Sequence, residues 1–257
     1  MKFLYINSNY IMSPFNKNKI ILKVILIIIF FSKSLWAQKD LIVHYNSISP
    51  KYSYNIKIKG NTALISLFVK EENIQKGNSI VRHLGQNWRI FHDFAKGESI
   101  KQELLLDGEV ILLYKYYSKP AKWIFMEGEK EILGYKCKRA LLDSSEFGRA
   151  SPNAQYGIYT VNLEVWFTED IPLNISTLGD FHFPGLPGII LEANRTSKSK
   201  NADSSPSTTR SGAVKIEKQN LPDLYPTEGV WVSPEELEKV KGYSEKKLRA
   251  WYKEKQK

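Results

Sequence analysis

The sequence predicts a mainly β domain, a single curved antiparallel sheet or half-barrel with short helices at its C-terminal end. Three observations predict it. Apolar and polar residues alternate with a period of two in run after run behind the N-terminal segment. Glycine-containing pairs separate several of those runs, where tight turns need positive φ. No helix-period apolar run of useful length occurs between residues 38 and 232, which excludes a parallel α/β fold, because parallel strands need crossover helices. The aromatic content of 12%, led by 14 tyrosines, suits the half-buried surface of a pleated sheet.

The first segment reads as an export signal. Lys2, Lys17 and Lys19 precede an apolar stretch, residues 20–31, interrupted only by Lys23, and Ala37 stands before the polar Gln38. A membrane-spanning helix needs about 20 apolar residues, whereas the uninterrupted run here is residues 24–31. The expected product is a periplasmic or extracellular chain beginning at Gln38. Removing residues 1–37 removes five lysines and no acid, so the formal charge of +10 falls to +5. No basic stripe with interleaved aromatics accompanies that charge, so nucleic acid is not an expected partner.

Residues 40–45 read as the first strand. Residues 54–59 and 62–69 follow as a hairpin across Gly60-Asn61, and residues 99–106 and 109–117 as another across Asp107-Gly108. Residues 123–126 and 132–142 form further strands, then a polar loop spans 143–155. Residues 156–167 place Val161, Leu163, Val165 and Phe167 on one face and Thr160, Asn162, Glu164 and Trp166 on the other. Residues 195–212, with Ala202 as their one aliphatic residue before the closing glycine, read as a mobile Ser-rich loop between a strand ending near Ala193 and the strand 213–218. The period then changes. Ser233-Pro-Glu-Glu236 is a helix start with a capping box and Pro at the first helical position. Gly242 stops that helix, and Ser244 opens a second carrying Leu248, Trp251 and Tyr252 on one side. The division is therefore residues 1–37 as signal, 38–232 as β domain and 233–257 as a helical tail packed on the sheet.

Two stretches are distinctive together: Glu131-Ile-Leu-Gly-Tyr-Lys-Cys-Lys-Arg-Ala140, and Val165-Trp-Phe-Thr-Glu-Asp-Ile-Pro172 followed by Phe183-Pro-Gly-Leu-Pro-Gly-Ile-Ile-Leu-Glu192. Read alone, Leu186-Pro187-Gly188-Ile189 fits a type II turn, Pro supplying φ near −65° and Gly the positive φ after it, with Gly185 allowing close backbone approach. As a pair the stretches resemble the GLPGLI family of exported envelope proteins of uncharacterised function. The signature here is Gly185-Leu186-Pro187-Gly188-Ile189-Ile190, with Ile at the fifth position, and the resemblance covers about residues 132–192. The family's Arg-Gly-Arg-like step before the Trp element and Gly-Pro after the Ile-Pro are replaced by Phe147-Gly148-Arg149, well upstream, and by Leu178-Gly179-Asp180. The resemblance implies compartment and class, and brings no activity or catalytic residue.

The residues themselves point away from catalysis. Gly-x-Ser-x-Gly is absent, and His44, His83, His92 and His182 are scattered beside a single cysteine, without zinc-ligand spacing. His92 and Asp93 are adjacent on a strand and so point to opposite faces. Cys137 reads as a buried thiol, and Glu127, Glu129, Glu131, Glu169 and Asp170 as solvated loop carboxylates. No catalytic residue, metal ligand or cofactor is assigned. The expected function is non-enzymatic binding of an apolar ligand or lipid in the curved sheet, with Tyr114, Tyr116, Trp123, Tyr135 and Trp166 as candidate lining. The alternatives are an interaction module for an outer-membrane or secreted partner, and a hydrolase or metal enzyme.

Overall fold

Glycine placement explains the first hairpin. Gly60 has φ +54°, Asn61 stays at negative φ, and β2 (Tyr52–Lys59) pairs β3 (Thr62–Val69) from Lys59↔Thr62 outward. Positive φ at the first central residue alone is the pattern of a type II′ turn, whose twist matches that of the flanking strands. The computed structural model describes residues 40–46, 52–69, 87–105, 111–117, 119–151, 157–171, 173, 177–178, 181–200 and 205–257. Residues 39–257 form one unit.

β1 (Leu41–Asn46), β4 (Asn87–Asp93), β5 (Glu98–Leu104), β6 (Ile111–Lys115), β7 (Trp123–Ile132), β8 (Tyr135–Leu142) and β9 (Ile158–Thr168) continue the chain. The short pair β10 (Thr177–Leu178) and β11 (Phe181–His182) precedes β12 (Ile189–Ser199), β13 (Ser207–Lys218) and β14 (Val230–Trp231). Twelve strands form one sheet in the order β14-β6-β5-β4-β3-β2-β1-β13-β12-β9-β8-β7. Every pairing in it is antiparallel except β14 with β6, so the sheet is mixed at that edge. It is open, with β14 and β7 at its ends.

The core shows how strongly the sheet bends. Leu41 and Val43 of β1, Ile56 and Ile58 of β2, and Ile65 of β3 share one buried cluster with Cys137 of β8. β8 lies four strands from β1. In a flat sheet four spacings would separate them by roughly 19 Å. Tyr116, just after β6, and Ile132 of β7 pack on the same cluster although β6 and β7 lie near opposite ends of the sheet. The inner face therefore wraps around a common core. Two further clusters cover the outer face. One packs Phe91, Ile100 and Leu113 under Leu221 and Leu224, and the other packs Val165, Phe167 and Ile190 under Ala121, Phe183 and Leu186.

The helices α1 (Pro234–Lys241) and α2 (Glu245–Lys255) form where the caps predict. Ser233 accepts from the Glu236 N–H and Glu236 accepts from the Ser233 N–H, a complete capping box. Leu237, Val240, Leu248 and Tyr252 are buried against Leu105 and Leu112, so the tail packs on the sheet.

Several sequence expectations are corrected. The segment 195–212 is largely strand: β12 runs to Ser199 and β13 starts at Ser207, paired from Glu192↔Gly212 to Ser197↔Ser207. Cross-strand partners such as Thr196 and Thr208, whose hydroxyls lie 3.0 Å apart, supply what the missing aliphatic side chains do not. Glu127, Glu129 and Glu131 lie in a strand, because β7 continues through them with a bulge between Met126 and Glu129. The β5–β6 register, Leu104↔Ile111, centres on Asp107-Gly108, although that turn lies outside the described residues. The tightest β7–β8 connection was not foreseen. Leu133 and Gly134 both have positive φ, +53° and +82°, the pattern of a type I′ turn.

Candidate functional site on the inner face

Strand register gathers the charged and aromatic residues of the sheet's second half. One row across the strands reads Met126, Arg139, Trp166, Glu192, Gly212 from β7 to β13. The next reads Ile124, Leu141, Glu164, Asn194, Arg210. Directly opposed residues of neighbouring strands point to the same face, so each row is continuous. Trp166 packs against the inner core, which places both rows on the inner face.

The rows grade from apolar to charged. At the β7 end Ile124 and Met126 are 47% and 38% exposed. In the middle Arg139 Nη2 donates to Glu164 Oε2 at 2.9 Å. Glu192, 8% exposed, accepts from Lys130 Nζ at 2.6 Å and from Arg210 Nη2 at 2.5 Å. Lys130 Nζ also stands 4.4 Å from the centre of the Trp166 ring, a cation–π contact. The β7 bulge folds Gly128, at φ +119°, over that ring: a Cβ there would sit 3.5 Å from Trp166 Cη2.

Burial works to raise the Glu192 pKa, but the hydrogen bonds and charges of Lys130 and Arg210 outweigh it and hold the carboxyl below the ordinary glutamate range. The hydrogen bond to Glu164 holds the Arg139 guanidinium charged. A general acid at neutral pH needs a raised carboxyl pKa, so Glu192 is built to stay ionised. Donors exceed acceptors in the cluster. Arg139 Nε is buried without a hydrogen-bond partner, and the Arg210 side chain is 70% exposed with one bond to Glu192. A guanidinium carries five N–H donors. The arrangement can take an acceptor-rich, anionic group at its charged end and an apolar one at the β7 end.

The five candidate aromatics do not form one lining. Tyr116, Tyr135 and Trp166 come together against the inner core. Tyr114 packs with the helix cluster, donating to Glu103 Oε1 at 2.7 Å, and burial followed by the Glu103 charge raises its pKa far above the usual tyrosine value. Trp123 lies on the outer face, edge-on to Phe183 at 6.4 Å. The inner surface beneath the three tyrosine and tryptophan rings is occupied by packed side chains. Arg139, Glu164, Glu192 and Arg210 were missed by the sequence reading. The alternation in residues 156–167 does put Glu164 and Trp166 on one face, the one signal that pointed here.

The motif glycines work by close approach. Gly185, at φ +132°, would bring a Cβ to 2.7 Å from the Ala121 carbonyl oxygen, and Ala121 N donates to Pro184 O at 2.6 Å. Gly188 is not at positive φ, which corrects the type II turn expected of Leu186-Pro187-Gly188-Ile189. A Cβ on Gly188 would lie 1.9 Å from the Thr168 carbonyl oxygen, so the β9 backbone fills the space a side chain needs.

Cys137 is fully buried, and burial pushes its thiol up to about 11. His92 Nδ1 lies 2.7 Å from Ser99 Oγ on the next strand, with Asp93 on the other face. The His182 and His83 side chains lie outside the described residues. Among the described residues no group of three or more His, Cys, Asp and Glu is placed to hold a metal ion, and no helix is long and apolar enough to cross a membrane.

No family model matches the chain, and no curated protein does. Among solved structures it is similar to PNGF-II in space group C2, with TM-score 0.50 and 13% identity over 79% of this chain and 32% of that one. PNGF-II in space group P21 gives TM-score 0.47 at 13% identity. The chain spans about a third of the length of PNGF-II, and the likeness is one of fold.

Proposed function

We propose that this chain is an exported, non-enzymatic envelope protein of the kind the GLPGLI resemblance implies, and that it binds a lipid-like amphiphile on the inner face of its sheet. One observation carries this reading: the two register rows that run from exposed Ile124 and Met126, through Arg139 and Trp166, to Glu192 and Arg210. The apolar end takes acyl chain, and the surplus donors of Arg139 and Arg210 take an anionic headgroup. The packed core beneath Tyr116, Tyr135 and Trp166 favours a ligand lying on the open face over one enclosed inside. Salt-bridged carboxylates such as Glu192 serve to position the cations, which supports binding over catalysis.

Flotation of purified protein with vesicles tests the reading. Phosphatidylglycerol-containing vesicles carry the protein to the top of the gradient, phosphatidylcholine vesicles do so weakly, and Arg139→Gln with Arg210→Gln abolishes the difference. Equal recovery on both lipids, or no change in the double variant, refutes it.

A further inference from the structure

β7 holds a feature beyond its part in the two register rows, its outer backbone edge. Among the described residues its one partner strand is β8, so residues 123–126 present a free backbone edge. The side chains on that edge are apolar and open on both faces: Ile124 and Met126 on the inner face, and Phe125, 58% exposed, on the outer. Natural sheets blunt such edges with charges, prolines and bulges, because an open edge templates pairing with another chain. Here those devices stand on either side of the apolar segment and leave it bare. Pro120 precedes it, and the bulge between Met126 and Glu129 follows.

The flanks carry opposite charges. Lys119 and Lys122 lie before the segment, and Glu127, Glu129 and Glu131 after it, all exposed. Laid antiparallel on itself, the segment sets each copy's lysine flank beside the other's glutamate flank. Laid parallel, it sets like charge on like. We propose that a second copy of this chain docks on this edge, β7 against β7, about a two-fold axis through Phe125 and normal to the sheet. In that register Phe125 faces Phe125 of the second copy, and Ile124 faces Met126 of the second copy on the inner face. The two inner faces then join into one surface. About five residues per strand pair, so the dimer is weak and forms with rising concentration. The inference stands on the strand edge and its flanking charges; it shares Ile124 and Met126 with the register rows but none of their charged residues.

Sedimentation velocity of the purified protein over a concentration series tests it, with cross-linking as a second readout. The wild type shows a monomer–dimer equilibrium. Phe125→Lys sets two cations on the axis, and Lys119→Glu with Lys122→Glu sets acid against acid; each raises the dimer Kd about tenfold or more. Both act on exposed side chains, and unchanged circular dichroism establishes that they fold. Phe125→Cys gives a disulfide-linked dimer under oxidation, while Val214→Cys, on the exposed face of β13, does not. Phe125→Lys leaves vesicle binding intact, since Phe125 lies on the outer face, which separates this inference from the proposed function. A wild type that stays monomeric while Phe125→Cys cross-links no faster than Val214→Cys overturns the proposal. So does a dimer indifferent to both charge variants, the outcome expected of another docking surface.

Discussion

Replacing Gly188 by alanine is the most stringent test of how the Gly-Leu-Pro-Gly motif works. The added Cβ would lie 1.9 Å from the Thr168 carbonyl oxygen and 2.7 Å from its carbon, where real Cβ atoms keep at least 3.0 Å. Relief demands that β9 and β12 part by about 1.1 Å at the point where Thr168 pairs Ile189. Both sides of the clash are backbone, and Ile189, Ile190 and Phe167 beside it are fully buried, so no flexible side chain can yield. Overpacking usually costs about 1–3 kcal/mol; a backbone clash of this depth belongs above that range, at roughly 4 kcal/mol. Two other glycines calibrate the scale. Gly134→Ala meets open space at φ +82°, for a conformational cost of about 1 kcal/mol. Gly148→Ala meets open space without positive φ and is expected within about 0.5 kcal/mol of wild type. Urea unfolding with an unchanged m-value gives the three differences directly. A Gly188→Ala midpoint no lower than that of Gly134→Ala refutes the close-approach account.

Other predictions concern the turn, the buried tyrosine and the charged rows. Leu133, 45% exposed, sits at φ +53°, so Leu133→Gly relieves left-handed strain and raises stability by about 0.5–1 kcal/mol, read as a higher melting temperature. Tyr114→Phe removes the hydrogen bond to Glu103, a carboxylate 3% exposed whose Oε2 already has no partner; a loss of about 2 kcal/mol in urea unfolding is expected. Because folding lowers the Glu192 pKa, its contribution is complete above the ordinary value of 4.5 and is lost as pH falls through the lower folded value. Glu192→Gln therefore costs about 1–2 kcal/mol at pH 7 and flattens the stability–pH curve below pH 4.5, measured by unfolding at a series of pH values.

Much of the fold was legible because it rests on local chemistry. Gly60-Asn61 placed the first hairpin, Ser233-Pro-Glu-Glu236 placed α1, and alternation in residues 162–167 gave the two faces of that part of β9. The register shift at Thr196/Ser197 reverses the two residues before that stretch, burying Thr160 and exposing Val161. Residues 195–212 misled because their composition is polar, while their order comes from backbone pairing between β12 and β13 that composition does not register. The carboxylates at 127, 129 and 131 misled in the same way: they are exposed because β7 is an edge strand, and an edge is a property of topology. The site was nearly illegible. Arg139, Glu164, Glu192 and Arg210 come from four strands, and their contacts exist only once register is set by bulges such as the one between Ile190 and Glu192. Trp123 and Trp166 look equivalent in sequence, yet the sheet places them on opposite faces.

Quenching of tryptophan fluorescence by phosphatidylglycerol with brominated acyl chains tests the central claim most directly. Trp166 lies in the row between Arg139 and Glu192, within reach of a chain laid over Met126, whereas Trp123 faces away. The wild type is quenched and Trp123→Phe is quenched to the same extent, while Trp166→Phe loses most of the effect. Quenching that survives in Trp166→Phe and disappears in Trp123→Phe would place the ligand on the other face of the sheet and contradict the account.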